Sequence, residues 1–226
     1  LLSLIDGLLD VAKIEAGKLR LETSEILFQE FLHDLEQMFA PTAREKGLTF
    51  RLDIVGRMPA VVRGDEKRVR QILINLLGNA VNFTDSGEVC LRVSYRRETA
   101  IFDIMDTGIG IAPEQIERIF QPFERGGLVR QDNGVGLGLT ITRMLTSLMG
   151  GALSVTSQPN EGTHFQVRLF LSEVRVPKAV IHVDHDVIGY QGERRLILVV
   201  DDHIEHRKVI SGMLAPLGFE VAQAAN

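Results

Sequence analysis

The chain has 226 residues, 45% of them apolar and 24% charged, ordinary globular usage that supports one or two domains with real cores. Its net charge of −5 gives no electrostatic case for nucleic acid or an anionic membrane as the main partner. Cys90 is the only cysteine, which excludes an internal disulfide and fits a reducing compartment, and no apolar run approaches the roughly 18–20 residues of a membrane span.

Residues 1–20 carry Leu1, Leu4, Ile5, Leu8, Val11 and Ala12 at helical spacing, widened by Leu2 and Leu9, so an amphipathic helix is predicted there, ending at Gly17. A short strand at 26–28 and a helix at 30–45 follow, then strands at 48–54 and 60–63. Asp65 is a good N-cap for the helix over 65–83. Residues 89–96 and 99–106 read as a hairpin around Arg97-Glu98. Pro113 opens a short helix, where its missing N–H costs nothing. The span 137–149 is helical and stops at Gly150-Gly151, and 153–157 with 163–171 form a hairpin across residues 158–162. Helices interleaved with hairpins give an α/β fold, an α+β sandwich whose mixed sheet carries helices on one face.

Residues 174–194 hold Pro177, several charges and no sustained period, and read as a linker. Leu196-Ile-Leu-Val-Val200 is a continuous apolar run ending in Asp201-Asp202, the pattern of a buried parallel strand with acidic groups at its carboxyl end. A helix over 205–217 and a strand from Phe219 complete a β-α-β pattern.

Three motifs carry chemistry. The helix over 65–83 puts Val69, Ile72, Leu73, Leu76, Leu77 and Ala80 on one face, with Asn75, Asn79 and Asn82 clustered within about 60° on an adjoining one. Asparagine is a mediocre helix former, so three on one stripe serve something other than helix stability. Asp106-Thr-Gly-Ile-Gly-Ile111 follows a strand, and Gly134-Val-Gly-Leu-Gly-Leu139 runs straight into a helix. Alternate glycines let backbone N–H groups approach a ligand closely, and a helix N-terminus favours phosphate. Either glycine cluster alone is a weak signal; the ordered set of three is a strong one.

Together these motifs resemble the ATP-binding domain of sensor histidine kinases, a branch of the ATPase family shared with type II topoisomerases and mismatch-repair ATPases. The resemblance implies ATP and Mg²⁺ as cofactors. Asn79 becomes the Mg²⁺ ligand, with Asn75 beside it as a catalytic residue and Asn82 next in the stripe. Asp106 accepts a hydrogen bond from the adenine amino group, and Gly108 and Gly110 permit close approach of the base. A carboxylate only accepts, so ATP is selected over GTP. Ile119-Phe-Gln-Pro-Phe-Glu-Arg125 is similar to the family's phenylalanine box, with Phe120, Phe123 and Arg125 at the base of a short polar lid over 126–133. Gly134, Gly136, Leu137, Gly138 and Leu139 hold phosphate, and Gly162 with Thr163 closes the site.

Two positions depart from the family. Asn82 stands where it usually has a lysine that reaches the phosphates, which removes one positive charge; Arg125 and Arg130 are the candidates to compensate from the lid. Asn75 stands where related hydrolytic ATPases carry a glutamate base. An amide cannot take a proton from water, so transfer to a protein nucleophile is preferred over hydrolysis.

None of the six histidines (His33, His164, His182, His185, His203, His206) has the context of a phosphoacceptor, so the acceptor helix is expected before Leu1. Residues 8–19 are similar to the second helix of the family's dimerisation and phosphotransfer hairpin. Asp201 and Asp202 resemble the Mg²⁺-binding acidic pair of a flavodoxin-like receiver domain, whose phosphoacceptor is expected beyond Asn226. The resemblance therefore implies a hybrid sensor histidine kinase: residues 1–22 the partial hairpin, 23–173 the catalytic domain, 174–194 the linker and 195–226 the start of the receiver. The expected partners are a second copy through the hairpin, receiver and phosphotransfer domains and another sensor kinase, with no nucleic acid. The expected location is the cytoplasmic side of an inner-membrane-anchored bacterial sensor. The rival readings are a regulatory pseudokinase with a weak ATP site and an ATP-driven switch of the topoisomerase or chaperone type.

Overall fold

The computed structural model describes residues 2–124, 136–174, 195–200, 207, 211, 214 and 218–224, with side chains from residue 8 onward. The chain divides into two units, Leu1–Pro177 and Lys178–Asn226.

In the first unit, α1 (Leu2–Glu15) leads to β1 (Ser24–Leu27), α2 (Phe28–Glu45), β2 (Thr49–Val55), β3 (Val61–Gly64) and α3 (Glu66–Phe83). Then come β4 (Glu88–Arg96), β5 (Thr99–Asp106), two 3₁₀ turns at Pro113–Gln115 and Arg118–Phe120, α4 (Gly138–Leu148), β6 (Ala152–Gln158), β7 (Gly162–Phe170) and β8 (Ser172–Glu173). The main sheet has the order β2-β4-β5-β7-β6, with β2 parallel to β4 and the other pairs antiparallel, so the expected mixed sheet is present. β1, β3 and β8 make a separate antiparallel sheet.

Alternation explains which face is covered. Val89, Leu91 and Val93 of β4, Phe102 and Ile104 of β5, and Phe165, Val167 and Leu169 of β7 are buried, and they pack in one core with Ile72, Leu73, Leu76 and Leu77 of α3 and Leu145 of α4. Between them stand the partly exposed Arg92, Asp103, His164 and Gln166 of the opposite face, where Asp103 accepts from His164 Nε2 and Gln166 Nε2, each at 2.8 Å. The hairpin joining β4 to β5 turns on Arg97 and Glu98 at φ 50° and 60°, the left-handed pair that a two-residue type I′ loop requires.

Several boundaries differ from expectation. α2 begins at Phe28, two residues before the predicted start at Glu30, because the fully buried Phe28 ring packs edge-on against Tyr95 and Phe102 and turns the chain there. The predicted short helix at Pro113 is a pair of 3₁₀ turns. α1 stops at Glu15, with Val11 and Ile14 packed on the core and Leu8 and Leu9 exposed at 40% and 50%.

In the second unit, β9 (Leu196–Val200) lies parallel to β10 (Glu220–Ala224), and Arg207, Ser211 and Leu214 are helical. β9 was expected to be buried throughout, yet Leu196, Leu198 and Val200 are exposed and Val199 alone is buried, since among the described residues β9 pairs with β10 only. Asp201 and Asp202 lie outside the described residues.

The start of α3 is a buried polar joint. Asp65, only 5% exposed, accepts from Arg68 N at 3.0 Å through Oδ1, the expected N-cap, and from Glu22 N at 2.9 Å through Oδ2. Removing that carboxylate loses the cap and leaves the Glu22 amide without its acceptor. Asp65→Ala should therefore lower stability by about 1–3 kcal/mol, and Asp65→Asn, which keeps one acceptor oxygen, by less. Urea unfolding followed by circular dichroism measures both, and equal stability of Asp65→Ala and the unaltered chain would contradict the account.

Candidate nucleotide site

The carboxyl end of β5 and its neighbours set three polar side chains in one cross-strand row. Asp106 pairs with Thr163 of β7, and Thr163 pairs with Ser157 of β6. All three share the parity of the inward residues Ile104, Phe165 and Val155, so they continue the helix-covered face at the point where its apolar lining ends.

Asp106 accepts from Gly108 N at 2.9 Å and Thr163 N at 3.2 Å, both through Oδ1. Burial pushes its carboxyl above the ordinary carboxylate range, and the two N–H bonds pull the other way without cancelling the rise. No described residue donates to Oδ2, so the group presents one unclaimed acceptor in a poorly solvated place.

Glycine is obligatory around it. At Gly108 a Cβ would strike the Phe83 carbonyl at the end of α3. At Gly162, with φ +101°, it would strike the Asp106 carbonyl. The loop itself is stapled: Ile109 N donates to Phe83 O at 3.2 Å, Asn160 N to Ile109 O at 2.8 Å and Ile111 N to Ser157 Oγ at 2.8 Å. The sequence-named Asp106, Gly108, Gly110, Gly162 and Thr163 thus come together from β5, its loop and the β6–β7 turn.

The asparagines divide. Asn75 Nδ2 donates to Gly138 O at 3.2 Å and Thr142 Oγ1 at 3.4 Å, which ties α3 to the first turn of α4. Asn79 is half-buried one turn further on, and no described residue hydrogen-bonds its side chain. Asn82 is exposed, and its backbone carbonyl accepts from Lys46 Nζ at 3.2 Å. Lys46 also donates to Val81 O at 2.8 Å, a cation at the C-terminus of a helix that has no basic residue in its own last turn.

Around the lid, Phe120 is a core anchor: it meets Phe165 edge-on, carries Arg143 over its ring and accepts from Thr140 Oγ1 through its carbonyl. Phe123 is 60% exposed at φ 66° and donates from its N–H to Gly136 O at 3.0 Å, joining the lid base to the second glycine motif. Leu137 is buried and Leu139 packs partly buried against the core, so their side chains hold the start of α4 in place. Arg125, Arg130 and Gly134 lie outside the described residues. Among the described residues no three His, Cys, Asp or Glu side chains gather to hold a metal ion. Ser157 and Lys46 were not singled out from sequence. Ser157 could have been, because the predicted hairpin places it opposite Thr163; Lys46 is 35 residues from its partner Val81 and carried no signal.

The family described as histidine kinase-, DNA gyrase B- and HSP90-like ATPase matches residues 64–173. The chain is 33% identical over 252 residues to the sensory/regulatory protein RpfC of Xanthomonas campestris pv. campestris, with 98% of this chain and 35% of RpfC covered. It is 34% identical over 230 residues to the sensor protein TorS of Escherichia coli K12, with 100% of this chain and 24% of TorS covered. It therefore spans about a third or less of the length of these relatives. Full-length ShkA, solved in complex with AMPPNP, superposes with a TM-score of 0.68 at 28% identity, over 99% of this chain and 45% of that one. The catalytic domain of the histidine kinase ThkA gives 0.58 at 25% identity, over 66% and 95%. Residues 64–173 thus match the histidine kinase-, DNA gyrase B- and HSP90-like ATPase family, and the chain is similar there to the catalytic domain of a histidine kinase.

Proposed function

We propose that residues 23–173 bind Mg·ATP through the site just described, and that the chain is the catalytic core of a hybrid sensor histidine kinase. The observation that carries the reading is Asp106, half-buried, with Oδ1 occupied by two backbone N–H groups and Oδ2 unclaimed. An acceptor-only group in that position pairs with the adenine amino group and repels a guanine carbonyl. Gly108 and Gly162 leave room for the flat base beside it. The start of α4 at Gly138 and Leu139 offers amide donors and the positive end of a helix to the phosphates, just after Gly136, and Gly134 is the further glycine of that motif. The complex of ShkA with AMPPNP supports a nucleotide here.

Asn79 is the residue to hold Mg²⁺, because an amide oxygen ligates a cation without adding negative charge beside the triphosphate. The ion, when bound, supplies charge neutralisation for phosphoryl transfer. Asn75, anchored on Gly138 and Thr142, holds the two helices of the site together and offers water no base. The γ-phosphoryl group accordingly goes to a histidine outside these residues and from there to a receiver aspartate. His33 bonds Glu36 and Gln37 on α2, His164 bonds Asp103 on the far face, and the other four histidines lie outside the described residues.

The same reading assigns residues 1–22 to a dimerising hairpin, 174–194 to a linker and 195–226 to the start of a receiver with Asp201 and Asp202 as its Mg²⁺ pair. Its partners are a second copy, receiver and phosphotransfer domains and another sensor kinase, on the cytoplasmic side of a membrane-anchored bacterial sensor. A second reading, a regulatory pseudokinase, is favoured by one observation: Asn82 is exposed and neutral where the family usually places a lysine.

Two tests follow. Asp106→Asn keeps an acceptor at Oδ1 but turns Oδ2 into a donor, so ATP binding should weaken at least tenfold, about 1.4 kcal/mol, in titrations with a fluorescent analogue. Because burial raises this carboxyl, its contribution to stability is favourable below its unfolded pKa and is lost as pH rises through the folded one. Asp106→Asn should therefore melt higher than the unaltered chain at neutral pH without ligand. In the unaltered chain, ATP affinity should fall as pH drops through that raised value. Binding that ignores the substitution would place adenine elsewhere.

The second test is phosphotransfer. The 226-residue chain should take no label on histidine from γ-labelled ATP, whereas the full-length protein should acquire acid-labile, base-stable phosphate that Asn79→Ala abolishes without unfolding the domain. ATP binding without labelling in the full-length protein selects the pseudokinase, and Asn82→Lys then tests whether the missing charge is the cause.

A further inference from the structure

Ser157 is the meeting point of the glycine loop, the β6–β7 turn and Thr163, and its hydrogen-bonding capacity is completely filled. Its hydroxyl donates to Gly162 O at 2.7 Å, its oxygen accepts from Ile111 N at 2.8 Å, and Thr163 Oγ1 lies 3.0 Å away. A serine hydroxyl has one proton and two lone pairs. The Gly162 carbonyl can only accept and the Ile111 amide can only donate, so one proton and one lone pair are committed. The lone pair that remains takes the proton of Thr163. The direction of the whole chain is thereby fixed, from Thr163 to Ser157 to the Gly162 carbonyl.

The consequence falls on the site. With its proton drawn away toward Ser157, Thr163 Oγ1 shows only lone pairs to anything bound at the end of the sheet. It stands opposite Asp106 in the strand pairing, and Asp106 is itself acceptor-only when ionised. Resting on the nucleotide reading above, we propose that Ser157 is a specificity-determining positioning residue: its hydroxyl orients Thr163 as a second acceptor beside Asp106, so that the site takes a purine bearing an amino group and rejects one bearing a carbonyl at that edge. Ser157 touches no base in this scheme; it acts through Thr163.

Loss of the Ser157 hydroxyl reverses the logic. Without an acceptor at Ser157, the Thr163 proton is released to point into the site, where it welcomes a guanine carbonyl and opposes an adenine amino group. A residue that only held the loop would weaken every nucleotide alike, and that difference makes the inference testable.

The experiment displaces a fluorescent ATP analogue from the 226-residue chain with ATP and with GTP, in the unaltered protein, Ser157→Ala, Ser157→Thr and Thr163→Val, with circular dichroism to check folding. Ser157→Ala should narrow the ATP-over-GTP preference by about tenfold, and Ser157→Thr, which restores a hydroxyl on a strand that suits β-branched residues, should recover it. Thr163→Val should narrow the preference similarly, and Ser157→Ala added to it should do little more, because both act through one hydroxyl. If Ser157→Ala does not fold, Thr163→Val and Ser157→Thr decide the matter alone. A folded Ser157→Ala or Thr163→Val with the unaltered preference, or with equal losses for both nucleotides, overturns the relay while leaving the nucleotide site standing. Failure of the unaltered chain to bind ATP, or indifference to Asp106→Asn, overturns the site and the relay with it.

Discussion

A carboxylate at the end of a buried strand is costly unless donors surround it, and most of the geometry around Asp106 follows from that cost. The strand delivers the charge to the edge of an apolar sheet face. Two backbone N–H groups, from Gly108 and Thr163, converge on one of its oxygens. For them to do so the loop must fold back within two residues, and β7 must start directly opposite. That crowding is what excludes a side chain at Gly108 and Gly162. The bonds offset only part of the desolvation, which is why the carboxyl stays raised. A site left in that condition gains from a ligand that donates to the free oxygen. Poor solvation and one unclaimed acceptor are a cost to the empty fold that a donating group at Oδ2 would relieve.

The opposite end of the site is governed by helix ends. α4 starts on Gly138 and presents amide donors, while the Asn75 amide seals the joint with α3 and adds no charge. α3 points the other pole of its dipole toward the glycine loop, and its last carbonyls are the negative end. Lys46 covers two of them, Val81 and Asn82, from the end of α2. Its ammonium is spent on backbone oxygens. The charge lost by having asparagine at position 82 is therefore a separate matter, and in the proposed site it would bear on the phosphates rather than on the helix.

What could be read from sequence was whatever leaves a mark at fixed spacing. Alternation in β4, β5 and β7 marks the buried face, the 3.6-residue period marks α3, and Asp65 marks its start. Gly108, Gly110 and Gly136 are visible because a side chain there would meet backbone atoms and, at Gly110 and Gly136, a left-handed φ as well. Boundaries moved where tertiary contacts decided them, as at Phe28, whose ring is captured by Tyr95 and Phe102 from distant strands. The exposed residues of β9 escaped for a similar reason, since an apolar run says what prefers to be covered and not what covers it. The Ser157 hub depends on strand register across two turns, and a one-residue slip would send its hydroxyl to the other face. The predicted hairpin places Ser157 opposite Thr163, but the pairing of Thr163 with Asp106 that completes the row joins strands far apart in sequence and left no mark there.

α3 joins these parts mechanically. It is 18 residues long, about 27 Å from end to end, and both of its ends are held by polar contacts to other segments. At its start Arg68 pairs with Asp10 of α1 at 2.9 Å, and Gln71 bonds both partners, in an ion pair whose side chains are only 13% and 15% exposed. Glu22, in the segment leaving α1, is fixed on the Asp65 cap of the same helix. At its finish, the Phe83 carbonyl receives Ile109 N of the glycine loop. Between those ends the buried face from Val69 to Val81 is packed into the core. Breaking the triad by removing one partner would strand a half-buried charge, which makes the joint strong against partial loss and cooperative when it yields. α1, the Asp65 cap and the glycine loop are thus all tied by polar contacts to one helix.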